Sequence, residues 1–90
     1  LIMNTDIEQL KRKIIYRSNY RGTKEMDKLL SSFTRKYIND LNDNDLRSLN
    51  DLLDLDDENL YRLNQGKELS IKIDTNEVTE LFKNYVFKNE

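Results

Sequence analysis

The feature that most constrains this chain is the absence of proline, together with only two glycines among 90 residues. These two residue types interrupt helices most strongly, so little in the sequence stops a helix once it has begun. Apolar side chains recur at spacings of three and four residues, which is the period of one helix face. Composition and period together predict an all-α protein, a small bundle of about five helices. We expect a single domain over residues 1–90, because a chain of this length has room for only one core.

Five apolar stripes mark the predicted helices. The first helix is expected from about Asp6 to Arg17 and the last over about residues 75–88. The alternation in residues 70–73 is too short to predict a strand. In chain order, the stripes consist of Ile7, Leu10, Ile14 and Ile15; Met26, Leu29, Leu30, Phe33 and Tyr37; Leu46, Leu49, Leu52 and Leu53; Leu60, Tyr61 and Leu63; and Val78, Leu81, Phe82, Tyr85 and Val86.

Short polar residues before the stripes predict where helices begin, because their side chains accept hydrogen bonds from free backbone amides. Gly66 is expected to end the fourth helix, as glycine does just past many helix ends. Asp74 and Glu77 have the spacing of a capping box. The expected caps are one of residues 4–6 for the first helix, Asn42 for the third, Asp56 or Asp57 for the fourth, and Asp74 for the last.

Charge is unevenly distributed along the chain. Residues 1–36 contain nine Lys or Arg against four acids, whereas residues 37–90 contain six against thirteen. A basic front and an acidic back favour docking through a preferred face. Asp6 and Glu8 argue against a signal peptide, and no apolar run approaches the ~20 residues that cross a bilayer. With no cysteine in the sequence, we expect a soluble protein of a reducing compartment.

The residue types argue against catalysis and metal binding. Histidine and cysteine are absent, and no glycine-rich phosphate loop is present, so we expect no catalytic residue. The string at residues 42–45 resembles the start of a calcium loop but lacks the required glycine, and leucines interrupt the ligand positions. Solvated helix-end acids explain residues 54–58 better than a metal site does. A basic first-helix face could track phosphates, although a pI of about 5.2 argues against nucleic acid; its residues are Lys11, Arg12, Lys13, Arg17 and Arg21.

The segment from Tyr20 to Asp27 joins the first two stripes and has two interpretations. In the local one, Gly22 caps the second helix, and Glu25 reaches back to the Gly22 amide or pairs with Arg21. In the functional one, Gly22 permits close approach of another backbone, and the flanking arginine and carboxylate meet a partner. The residues alone leave both open.

A family resemblance favours the functional interpretation. Arg21-Gly22-x-x-Glu25-Met26-Asp27, followed by Leu29-Leu30, resembles the signature of the SdhE family, the succinate dehydrogenase flavinylation factors. The similarity continues through residues 33–37, 41–45, 52–57, 60–61 and 66–67, and covers about residues 10–67. This chain departs from the usual family pattern at four positions: Tyr20 for arginine, Thr23 for methionine, Glu58 for proline and Leu63 for tryptophan.

This resemblance implies an assembly chaperone rather than an enzyme. It would bind the flavoprotein subunit of succinate dehydrogenase, with that of fumarate reductase as a second candidate, and promote covalent attachment of FAD to a histidine of that subunit. FAD would belong to the partner, with no cofactor bound stably by this chain. Arg21, Gly22 and Glu25 would form the contact surface, and Asp27 and Arg17 are weaker candidates.

The resemblance also bears on location and assembly. A protein of this kind would be a monomer without membrane contact, in the bacterial cytoplasm or, if it is a processed eukaryotic form, in the mitochondrial matrix. The role of residues 68–90 stays open. The alternative from another class is an antitoxin-like or RNA-binding regulatory module that uses the basic first-helix face, and a third is an interaction bundle with an unrelated partner.

Overall fold

The structure is a computed structural model that describes residues 2–88, with side chains described from Asp6 onward. Within these residues it has five helices and no strand, which confirms the predicted all-α bundle. None of the described helices combines the length and apolar character needed to cross a membrane. The helices are α1 (Ile2–Asn19), α2 (Lys24–Tyr37), α3 (Asp43–Leu52), α4 (Asp57–Asn64) and α5 (Glu77–Asn84).

Helix α1 is longer than predicted at both ends. It already includes residues 4–6, so the cap expected among them is wrong; no proline or glycine precedes Gly22 to delay the start. At the other end, the helix continues past Arg17 through Ser18, although a serine side chain can compete for backbone hydrogen bonds. The Ser18 hydroxyl donates to the Ile14 carbonyl at 2.7 Å and contacts the Thr34 hydroxyl of α2 at 2.6 Å. This buried pair holds α1 against α2 and removes the competition that would have ended the helix.

Helix α2 supplies the centre of the core. Phe33 is fully buried, and its ring meets those of Phe82 and Tyr85 edge-on, with centroids 5.1 and 5.4 Å apart. Helix α1 packs on α2 and α3, while α5 packs on α3 and α4. The core thus confirms most of the predicted stripe positions; its members are Ile14, Met26, Leu29, Leu30, Phe33, Ile38, Leu46, Leu49, Leu52, Leu53, Leu60, Leu63, Val78 and Phe82.

Two predicted caps and one predicted stop are confirmed. The Asn42 side chain accepts from the Asp45 amide at 2.8 Å and begins α3. Asp56 begins α4 in the same way. Gly66 has a φ of +71°, and the Gly66 and Lys67 amides donate to carbonyls of the last turn of α4. This is the glycine-terminated end that the sequence predicts.

The prediction for the last helix needs correction. Helix α5 runs over Glu77–Asn84 rather than residues 75–88, and its capping box joins Asn76 and Thr79, not Asp74 and Glu77. The amides of these two residues donate to each other's side chains at 2.8 and 2.9 Å. Tyr85 leaves the helix in an extended conformation, with φ −77° and ψ +130°.

Three residues of the predicted stripes are exposed at the surface. Ile15 is 44% exposed, Tyr61 is 49% exposed and Val86 is 72% exposed. In α4 the buried positions are Asn59, Leu60 and Leu63, and Tyr61 follows Leu60 by about 100° around the axis, which turns it outward. Val86 follows the end of α5, so the helical period no longer applies to it.

Candidate functional site

The α1–α2 corner, residues 20–27, begins helix α2 through Thr23 rather than Gly22. The Thr23 hydroxyl accepts from the Met26 amide at 3.2 Å, and its backbone is extended, with φ −128° and ψ +154°. Threonine can cap through its own oxygen, which glycine cannot. Glu25 is therefore the second helical residue and does not reach back to Gly22, so this local interpretation is wrong.

In the corner, Asp27 rather than Glu25 accepts a hydrogen bond from the Gly22 amide. Its carboxylate accepts from the amides of Arg21 and Gly22, the second at 3.3 Å. Gly22 has a φ of +129°, a backbone conformation that other residues rarely adopt. No atom lies within 4 Å of where a Cβ would stand on Gly22, so the requirement for glycine here comes from the backbone alone.

The Arg21 side chain points into the molecule. Its Nη1 and Nη2 donate to the carbonyls of Leu53 and Leu55 at 2.9 and 2.8 Å, and its Nε donates to Asp57 at 3.1 Å. The side chain is only 12% exposed. Arg21 thus pairs with Asp57 and not with Glu25, and it locks the corner to the connection between α3 and α4.

Arg17 makes a parallel connection one turn earlier. It donates to the Asn50 carbonyl and side-chain oxygen, both at 2.9 Å, and to Asp54 at 2.6 Å. Helix α3 has no basic residue in its own last turn. The two arginines supply donors to its unpaired C-terminal carbonyls and positive charge at the negative end of its dipole.

Glu25 is the charged residue of the motif that faces solvent. Among the described residues, its carboxylate has no hydrogen bond or ion pair, and the side chain is exposed. It stands on the wall of a groove of about 430 Å³ between the start of α2, the end of α4 and the segment after α5. We name this the Glu25 groove; its lining includes Glu25, Leu29, Tyr61, Lys83, Tyr85 and Val86.

The structure therefore divides the five predicted site residues by position. Gly22 and Glu25 lie at the surface of the corner. Arg17 and Arg21 bind α3 and the α3–α4 connection, and Asp27 binds backbone amides within the corner. Tyr61 and Val86 were predicted as stripe residues, but both are exposed and line the same groove as Glu25. The phase of Tyr61 relative to Leu60 could have indicated its exposure, whereas Val86, four residues after Phe82, carries no such signal because α5 ends before it.

The arrangement is suited to binding a partner. Within residues 2–88, no group of three or more potential ligands could hold a metal ion. The corner instead combines a fixed backbone turn, an exposed carboxylate and a neighbouring apolar groove. Because the turn is already fixed, such a surface can bind a complementary partner at a low ordering cost.

Comparisons with known proteins identify similar sequences. Residues 12–86 match the family model described as flavinator of succinate dehydrogenase, so the match extends past residue 67 into α5. Two curated proteins named succinate dehydrogenase assembly factor 2, mitochondrial, are each 39% identical to this chain. One, from Meyerozyma guilliermondii, aligns over 54 residues, and the other, from Dictyostelium discoideum, over 57.

The two curated relatives are matched over less than half of their own length. The aligned segments cover 60% and 63% of this chain but only 40% of either relative. No solved structure matches. The family model, by contrast, spans most of the chain and all of α2, α3, α4 and α5. On that match, the chain belongs to the family of succinate dehydrogenase flavinators.

Proposed function

We propose that this protein is an assembly factor that binds the flavoprotein subunit of succinate dehydrogenase and promotes covalent attachment of FAD to it. The observation that carries the proposal is the family match over residues 12–86, which includes the Arg-Gly-x-x-Glu-Met-Asp corner. The fumarate reductase flavoprotein is a second candidate partner. Because both matched relatives are named as mitochondrial, we propose the same compartment for this chain.

The mechanism we propose is positioning of the partner. Binding holds the flavoprotein subunit in a conformation in which its histidine and the flavin meet at attack geometry, which lowers the barrier without a reacting group from this chain. The chain contains no histidine or cysteine that could enter the reaction. FAD would remain with the partner throughout.

The five candidate site residues have different parts in this mechanism. Gly22 and Glu25 contact the partner: the glycine allows close backbone approach, and the exposed carboxylate forms a charged hydrogen bond. Arg21, Arg17 and Asp27 are positioning residues, because their side chains hold the corner in shape through the α3–α4 connection and the Gly22 amide.

The first prediction tests this function directly. The cognate succinate dehydrogenase flavoprotein is expressed alone, with this protein, and with its Glu25→Ala variant, and covalent flavin is measured as fluorescence of the denatured subunit on a gel. We expect a strong band with the wild type and a band about tenfold weaker with Glu25→Ala, as for loss of an interface anchor.

Glu77→Ala is the matched control, since Glu77 is also an exposed glutamate in the first turn of a helix, α5. It should support attachment like the wild type. Equal bands in all lanes, including the lane without this protein, would contradict the proposed function. A Glu25→Ala variant that no longer folds by circular dichroism would make Glu25 a structural residue instead. Repeating the set with the fumarate reductase flavoprotein tests the second partner.

A further inference from the structure

We infer that the Glu25 groove forms a second part of the partner surface. It receives an apolar segment of the flavoprotein subunit that carries a basic side chain opposite Glu25. This inference rests on the proposed function and extends its contact surface from the α1–α2 corner to α4 and the segment after α5.

Apolar side chains stand exposed on both sides of this groove. Tyr61 of α4 is 49% exposed and Val86 is 72% exposed, and the side chains of Met26 and Leu29 lie between the walls, nearly buried. Exposed apolar surface that is grouped around a groove, rather than scattered singly, is typical of binding sites. Covering it would remove this surface from water, which favours association.

Specific contacts fix the backbone directly before Val86. The Asn64 side-chain amide donates to the carbonyls of Phe82 and Tyr85 at 2.9 and 2.8 Å. The Tyr85 ring packs edge-on against Phe33 in the core. These contacts fix the backbone directly before Val86, whose side chain is exposed. A wall fixed in advance lowers the ordering cost that a partner must overcome on binding.

Charge identifies the kind of segment that fits. No described residue pairs with the Glu25 carboxylate, so a basic side chain of the partner can form a charged hydrogen bond with it. Lys83, on the α5 side of the groove, suits a backbone carbonyl or a carboxylate of the same segment. A free flavin dinucleotide fits less well, because its pyrophosphate would share the groove with the Glu25 carboxylate, which repels it.

A second exposed apolar feature provides matched controls. Tyr16 of α1 and Tyr20, directly after that helix, are 66% and 70% exposed, and their rings lie 4.8 Å apart. Neither lines the Glu25 groove. Ile71, which is 52% exposed in the loop before α5, also lies outside it. These residues allow the same kind of substitution to be made on and off the groove.

The second prediction is that substitutions on the groove weaken the complex. Dissociation constants for the cognate flavoprotein subunit are measured by calorimetry for Tyr61→Ala and Val86→Asp, with Tyr16→Ala and Ile71→Asp as controls. We expect about a tenfold loss of affinity for each groove variant, as is typical of interface anchors, and little change for the controls. All four positions are exposed, so each variant should retain the wild-type circular dichroism spectrum.

The outcomes separate the inference from the proposed function. If the wild type does not bind the flavoprotein, the proposed function fails. If the wild type binds and Glu25→Ala weakens binding, but neither groove variant does, the function stands and the groove inference is overturned. A larger loss for Tyr16→Ala than for Tyr61→Ala would move the surface to α1. Saturable binding of free FAD that Tyr61→Ala abolishes would make the groove a flavin site and overturn the protein segment.

Discussion

At the scale of single residues, the Arg-Gly-x-x-Glu-Met-Asp motif has two physical tasks divided among its members. Arg21 and Asp27 build the α1–α2 corner through hydrogen bonds to main-chain atoms, and Gly22 supplies its backbone conformation. Among the described residues, Glu25 makes no hydrogen bond or ion pair, and its side chain is exposed. Substitutions at Arg21 and at Glu25 should therefore fail in different ways, although both residues belong to one motif.

The third prediction concerns Arg21. Arg21→Ala removes three hydrogen bonds from a side chain that is 12% exposed and leaves the Leu53 and Leu55 carbonyls without that donor. Urea unfolding should show a free energy of unfolding lower by about 2 kcal/mol. Arg47→Ala, at an exposed arginine of α3, should change it by less than about 0.5 kcal/mol. An Arg21→Ala variant as stable as the wild type would contradict this structural role.

The fourth prediction compares the two glycines of the chain. Both have positive φ, and at both no atom lies within 4 Å of where a Cβ would stand, but +129° at Gly22 lies farther from the left-handed helical region than +71° at Gly66. Gly22→Ala should therefore lower the free energy of unfolding by about 1–3 kcal/mol, and by more than Gly66→Ala does. Thermal unfolding followed by circular dichroism checks the order, and the reverse order would argue against this account.

At the scale of elements, the residue that begins a helix could be predicted where only one position suits a cap. It could not be predicted where two nearby positions suit one. Asn42 and Asp56 are the expected caps because each directly precedes a leucine stripe. Before α5, however, Asp74 and Asn76 are both able to cap. The structure uses Asn76, which exchanges hydrogen bonds with Thr79, and the helix that follows buries Val78 and Phe82 fully.

The candidate site divides in the same way. Its exposed turn was identifiable from Gly22 and Glu25 because the family signature marks them. The partners of Arg21 lie 32 to 36 residues away in sequence, so no local pattern could reveal them. The groove was missed for the same reason, since its walls come from α2, α4 and the segment after α5 and meet only in the folded chain.

The fifth prediction tests the cap of α5. Asn76→Ala removes the acceptor for the Thr79 amide, and we expect the free energy of unfolding to fall by about 1 kcal/mol. Asp74→Ala, two residues earlier and exposed, should change it by less than about 0.5 kcal/mol. Urea unfolding of the two variants side by side measures the difference. A larger loss for Asp74→Ala would restore the cap expected from the sequence.

At the scale of the whole molecule, the basic front and the acidic back bind each other. Arg17 and Arg21 belong to the basic front of the sequence, and their carboxylate partners, Asp54 and Asp57, belong to its acidic back. The charge asymmetry favoured docking through one face. Two of its cations, Arg17 and Arg21, instead pair with carboxylates at the α3–α4 connection. This pairing lowers the number of cations that the basic first-helix face can offer to another molecule.

This internal pairing argues against the alternative of an RNA-binding module. Each cation that neutralises a phosphate of single-stranded RNA contributes about 0.7 to the slope of log affinity against log salt. If the whole basic first-helix face bound RNA, its five cations would give a slope of about −3.5. Because Arg17 and Arg21 already have carboxylate partners, we expect any binding of fluorescein-labelled oligouridine to be weak, with a slope no steeper than about −2. Fluorescence anisotropy across a salt series measures this slope, and Arg12→Ala, at an exposed arginine of that face, should make it shallower. A slope near −3.5 that Arg17→Ala reduces would show that the ion pairs open for RNA, and the basic face of α1 would then be the functional surface.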